Sequence, residues 1–201
     1  MKKCMKRACA CFLLPLLIWG GSLLWERQKL TDDLIRLHVV AASDSDEDQT
    51  IKLQVRDAVM KSLKEAMGEM PNAAAARAHL QKNLSQIQSV ANEALRAAGR
   101  DGEAVVSLCK ETFDTRYYDT FALPVGVYEA LRITIGEGQG KNWWCVVFPT
   151  LCIPATSEGF ESVAAGAGFS EKMKDTLTGN YEVHFFLLDV LGQLQNLFYL
   201  E

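Results

Sequence analysis

The sequence predicts one α/β or α+β domain, in which a mixed sheet of about five strands carries a helical hairpin. Three observations make that prediction. Apolar residues recur at helical spacing in two successive segments between Ile51 and Leu95. Short runs rich in branched and aromatic residues, the composition of strands, lie both before and after that pair, and such an order packs as helices laid on a sheet. A length of 201 residues with 49% hydrophobic and 23% charged content suits a single core, with room for one short membrane segment.

The N-terminus supplies that segment. Lys2, Lys3, Lys6 and Arg7 precede an uncharged stretch from Ala8 to Trp25, the order found in a signal peptide or signal anchor, so residues 1–26 are assigned to export and residues 27–201 to the exported domain. Gly20, Gly21 and Ser22 offer small residues without an Ala-x-Ala box, and the stretch is near the roughly 18 residues that span a bilayer, so released and tethered forms both fit. Leading cations keep the N-terminus cytoplasmic and send the remainder across, leaving membrane contact through this segment if it is uncleaved. Cys4, Cys9 and Cys11 stand before or at the start of the apolar run and not after it, which excludes a lipoprotein. Without the four leading cations, 17 basic residues face 25 acidic ones, so the domain carries about −8 and is not expected to bind nucleic acid.

Within the domain, LIRLHVVAA from Leu34 to Ala42 reads as a strand with Ile35, Leu37 and Val39 on one face and Arg36 and His38 on the other. SDSDED from Ser43 to Asp48 then crowds capping and acidic side chains before a helix whose stripe is Ile51, Val55, Val59, Leu63 and Met67, ending near Gly68. A second helix from about Asn72 presents Leu80, Leu84, Ile87, Ala91 and Leu95 and closes at Gly99. AVVSLC, Tyr128 to Ile135 and Trp143 to Phe148 read as further strands, with an aromatic connection from Phe113 to Phe121. A short helix is expected near Ser170 to Leu177, and YEVHFFLL from Tyr181 to Leu188 reads as the last strand.

The stretch from Gly136 to Cys152, GEGQGKNWWCVVFPTLC, is the most unusual in the chain. A phosphate-binding P-loop fails at Ile135 and Asn142, and the dinucleotide pattern fails at Lys141, which leaves a flexible hairpin loop. Trp143 and Trp144 point to opposite faces if extended, so one fills the core while the other lies at the surface, either as a lid or as a contact anchor. A turn at Pro149 brings Cys145 and Cys152 toward the roughly 5–6 Å between Cα atoms that a disulfide needs, and so short a bridge contributes about 2.5 kcal/mol. The rival is a nucleophilic Cys145 activated by His38 or His184. Asp44, Asp46 and Asp48 have the alternate spacing of a calcium loop, but Gln49 replaces its glycine and Val55 its closing glutamate, so helix capping is the better reading. HExxH, CxxC and G-x-S-x-G are absent, and no cofactor or metal is expected.

Three strings resemble a known family: LIRLHVVAASDSDEDQTIKLQVRDAV from Leu34 to Val59, LPVGVYEALRITIGEGQGKNWWCVVFP from Leu123 to Pro149, and the LC that follows. They look like the signature blocks of stage II sporulation protein R. The resemblance implies a signal made in the forespore of an endospore-forming bacterium and exported into the space between the two compartments. There it would trigger a membrane-embedded aspartic protease of the mother cell that matures pro-sigma-E. It carries over no catalytic residue. Lys141, Asn142, Trp143 and Trp144, with Asp44, Asp46 and Asp48, are then the expected partner contacts. The chain departs from the family in its alanine-rich second helix, at Cys109 and in the tail from Gly192 to Glu201. Two other readings stay open: an envelope enzyme acting on peptidoglycan through Cys145, and a membrane-tethered structural adaptor.

Overall fold

The computed structural model describes residues 24–117 and 121–149, together with residues 20–22, 174 and 177–178 and a C-terminal helix. Most of the N-terminal apolar stretch, Cys152 and most of the short helix expected near Ser170 lie outside the described residues. Among the described residues, no helix is long and apolar enough to cross a membrane.

Helix α1 (residues 24–33) leads into strand β1 (Ile35–Val40), followed by helices α2 (Asp46–Gly68), α3 (Ala73–Lys82) and α4 (Leu84–Ala97). Strands β2 (Ala104–Phe113), β3 (Arg116–Tyr117), β4 (Ala122–Leu123), β5 (Gly126–Ile135) and β6 (Asn142–Phe148) precede helix α5 (Glu182–Tyr199). The main sheet has four strands in the order β2-β5-β1-β6, and β3 pairs with β4 in a separate ribbon. Strand β1 runs parallel to β5 and antiparallel to β6, and β2 runs antiparallel to β5, so the sheet is mixed.

The period-two pattern of β1 decides which side is which. Ile35, Leu37 and Val39 face the helical layer, where they join Ile51, Val55 and Val59 of α2, Ile87, Ala91 and Leu95 of α4, and Leu131 and Ile133 of β5. The opposite face gathers Leu30 of α1, Leu34, Phe113, Tyr128, Val146 and Leu177 into a second cluster. Arg36, fully buried on that side, lays its guanidinium 4.2 Å from the Phe113 ring centroid and 5.1 Å from that of Tyr128.

The structure departs from the sequence reading in four places. The glycine-rich turn after Ile135 does not close a hairpin, because β1 stands between β5 and β6 in the sheet. The second helix is two helices: Asn83 ends α3, its backbone N–H donating to the His79 and Leu80 carbonyls at 3.1 Å and its side-chain amide to the His79 carbonyl at 2.8 Å, and α4 begins at Leu84. The connection after Phe113 forms the β3-β4 ribbon. The segment taken as the last strand is helical from Glu182 to Tyr199, which accounts for a main sheet of four strands and not about five. Its apolar residues continue past Leu188 through Val190, Leu191 and Leu194 at three- and four-residue steps, too long a run for a strand. Asp189 of α5 accepts the Val125 N–H at 3.1 Å and contacts the Thr115 hydroxyl, fastening the helix to the start of β5.

Strand β2 lies at one edge of the main sheet. There α4 supplies two side-chain acceptors to the strand: Asn92 Oδ1 accepts the Ala104 N–H at 2.7 Å, and Gln88 Oε1 accepts the Val106 N–H at 3.1 Å.

Candidate functional site

The loop between β5 and β6 does not hang free as the glycine content suggests. It lies on the turn between β1 and α2, where the Gln139 N–H donates to the Ala42 carbonyl at 3.3 Å and the Gly140 N–H to the Ala41 carbonyl at 2.9 Å. Its last residue is held twice more: the Lys141 N–H donates to Asp44 Oδ1 at 2.7 Å, and the Lys52 ammonium donates to the Lys141 carbonyl at 3.1 Å. Two glycines make the approach feasible. Gly138 has φ +64°, a left-handed backbone that disfavours a side chain. At Gly140 an added Cβ would stand 2.5 Å from the Ser43 carbonyl carbon, so only a residue without one fits.

Lys52 is a buried cation tied to Gln49 Oε1 at 2.6 Å, and its pKa is lowered, first by burial and then by the charges of Arg56 and Lys141, against the pull of Asp44. The α2 start is capped by Ser45, whose hydroxyl accepts the Asp48 N–H at 3.2 Å. Asp48 is buried, accepts from the Ser43 hydroxyl at 2.6 Å and meets Arg100 at 3.0 Å. Of the three acidic candidates, Asp44 thus binds the loop, Asp46 is exposed in the first helical turn, and Asp48 anchors that turn from inside. The cap of α2 is thus Ser45 and not one of the three aspartates, of which Asp44 docks the loop. Among the described residues no group of histidine, cysteine or acidic side chains is arranged to hold a metal ion.

Lys141, Asn142 and Trp143 are exposed, and Trp144 is half-buried. The two tryptophans take opposite faces of β6, because Trp143 pairs with Val39 and Trp144 with His38 across β1. Trp143 lies on the helical side, 37% exposed, with the Arg56 guanidinium 4.3 Å from its ring centroid. Trp144 lies on the other side, stacked on His38 and edge-on to Phe113 at 4.9 Å. Cys145 takes part in a disulfide, so in this state it carries no thiolate for nucleophilic attack. Cys109 is a free thiol, its pKa raised first by burial and then by the nearby Glu111 charge.

Beneath this surface is a polar network that motif reasoning missed. Glu111 on β2 contacts His38 at 2.7 Å through one oxygen and Arg132 at 2.7 Å through the other. Burial would raise its pKa, but hydrogen bonds from His38 and Arg132, with their charges, outweigh that and hold the carboxyl below its ordinary value. The available signal was the pair Arg36 and His38 on a strand whose every residue is buried, since polar groups in such a strand require partners on its neighbours.

The geometry defines a mixed α/β domain that presents a pinned loop and an aromatic strand end on one surface. Residues 31–158 match the stage II sporulation protein R family, and the chain is 35% identical over 158 residues to the stage II sporulation protein R of Bacillus subtilis (strain 168), covering 76% of this chain and 70% of that protein. The chain therefore belongs to the stage II sporulation protein R family. No solved structure matches it.

Proposed function

We propose that this protein is an exported signal of endospore formation that binds and activates the membrane-embedded aspartic protease processing pro-sigma-E, and that it does so without catalysis of its own. One observation carries the reading. The two long blocks that bear the family resemblance, Leu34–Val59 and Leu123–Pro149, are far apart in sequence, yet they converge where Asp44 and Lys52 grip Lys141. A loop held by its backbone leaves the side chains of Lys141 and Trp143 outward at little further entropic cost, which favours recognition. Binding shifts the protease toward its active state by differential affinity for that state.

The test uses the full-length chain with Lys141→Ala and Trp143→Ala. Each variant is expected to weaken binding to the extracytoplasmic part of the protease by roughly tenfold or more, as for an interface anchor, and to lower pro-sigma-E processing while export is unchanged. Full processing by the double variant, exported at the normal level, sinks the contact assignment. The enzymatic alternative needs a thiolate at Cys145, and the disulfide there supports the signalling reading over it.

A further inference from the structure

His38 sits in the middle of β1 with both ring nitrogens against oxygen atoms. Its Nδ1 is 2.7 Å from Glu111 Oε2 on β2, and its Nε2 is 3.0 Å from Asn142 Oδ1 on β6. The ring is buried, and the Trp144 indole stacks on it with centroids 3.9 Å apart and planes inclined by 20°. A carboxylate and an amide oxygen accept hydrogen bonds and do not donate them. The imidazolium therefore satisfies both partners, whereas a neutral ring donates to one and turns a lone pair toward the other. The indole face adds attraction for the charged form.

Further charged and titratable groups surround the ring and its partners among the described residues. From β5, Arg132 takes the second oxygen of Glu111 at 2.7 Å, and from β2 the Cys109 thiol lies 3.7 Å from that same oxygen. Arg36, two residues back on the same face of β1, is stacked on Phe113, and Arg116 of β3 lies 5.6 Å from the Trp144 ring centroid. Glu111 is the anion shared between His38 and Arg132.

Asn142 is the residue through which this network reaches the surface. It opens β6, directly after Lys141 and before Trp143, so the strand end is pinned from one side by Asp44 and Lys52 and from the other by His38. We propose that His38, charged and clamped between Glu111 and Asn142, is the positioning residue of this strand end: it fixes Asn142 and Trp144 directly, and Lys141 and Trp143 through them. Loss of the ring proton forces the Asn142 amide to turn before it can donate to Nε2, and it removes the cation from the Trp144 face. The conformation of residues 141–144 thus follows the protonation of one buried histidine. The geometry stands on its own, and its meaning for signalling rests on the function proposed above.

The experiment is a pH titration of the full-length chain in detergent micelles, with 13C-labelled histidine and 15N-labelled backbone. His38→Gln identifies the His38 signal among the three histidines. The expected result is that the amides of Lys141 to Trp144 shift with the same midpoint as the His38 ring. Trp144 fluorescence, taken as the difference from Trp144→Phe, is quenched at the acid end and recovers along the same curve. Both responses should vanish in His38→Gln. Amides of residues 141–144 that stay still while the His38 ring titrates, or a ring that shows a single N–H across the whole range, overturn the inference. A second arm measures protease binding over the same pH range, where a loss of roughly tenfold across the His38 midpoint is expected. Failure of the wild-type chain to bind at any pH overturns the proposed function, whereas the NMR arm alone decides the positioning role.

Discussion

Two residues show how closely this surface is specified. Gly140 passes so near the Ser43 backbone that a methyl group has nowhere to go, since the obstacle is main chain and not a side chain that can swing away. Gly140→Ala is therefore expected to lower stability by about 1–3 kcal/mol, as for an overpacked site, and to free the loop; thermal melting and amide exchange at Lys141 would measure both effects. Glu111 makes a prediction in pH. Its folded pKa lies below the ordinary 4.5, so its contribution to stability is complete above that value and is lost as pH falls through the folded pKa. In urea denaturation the advantage of the wild type over Glu111→Gln should shrink as pH falls below 4.5. A difference that grows toward acid would have the wrong sign.

At the scale of elements, the start of α2 has two duties. It closes its own first turn through Ser45, and the same turn supplies Asp44 to the loop between β5 and β6. Ser45→Ala should cost about 1 kcal/mol in stability, the usual value of an N-cap, and a melting curve would reveal it. Protection of the Lys141 amide should survive that change, because Asp44 remains. This split also explains what was legible in advance. The caps, the stripe of α2 and the alternation of β1 are local patterns, so the chain displayed them directly. The docking of Lys141 on Asp44 joins residues 97 positions apart, and no local pattern encodes it. The glycines accordingly read as freedom, although they serve close approach. At Asn83 the helix breaks although the apolar period runs straight through it, and the run after Tyr181 read as a strand because its first eight residues fit either structure.

In the whole molecule, the sheet separates two environments. One face carries the large apolar cluster under α2 and α4; the other holds buried Arg36, the His38 network and the aromatic group of Phe113, Tyr128 and Trp144. Side chains on the loop can thus vary without disturbing the larger core, because the loop is attached by hydrogen bonds and not by shared apolar packing. The edge of the sheet has a further consequence, for the behaviour of many copies. Strand edges recruit other strands, and β2 is ten residues long. Asn92 and Gln88 occupy the outward N–H groups of Ala104 and Val106, so a second copy that tried to add along that part of the edge would find its donors already taken. Gln88→Ala combined with Asn92→Ala should leave the secondary structure intact by circular dichroism but raise light scattering with concentration, whereas an unchanged, monodisperse solution would assign those two amides to fastening α4 alone. A signal of the kind proposed above would in this way be kept from meeting itself.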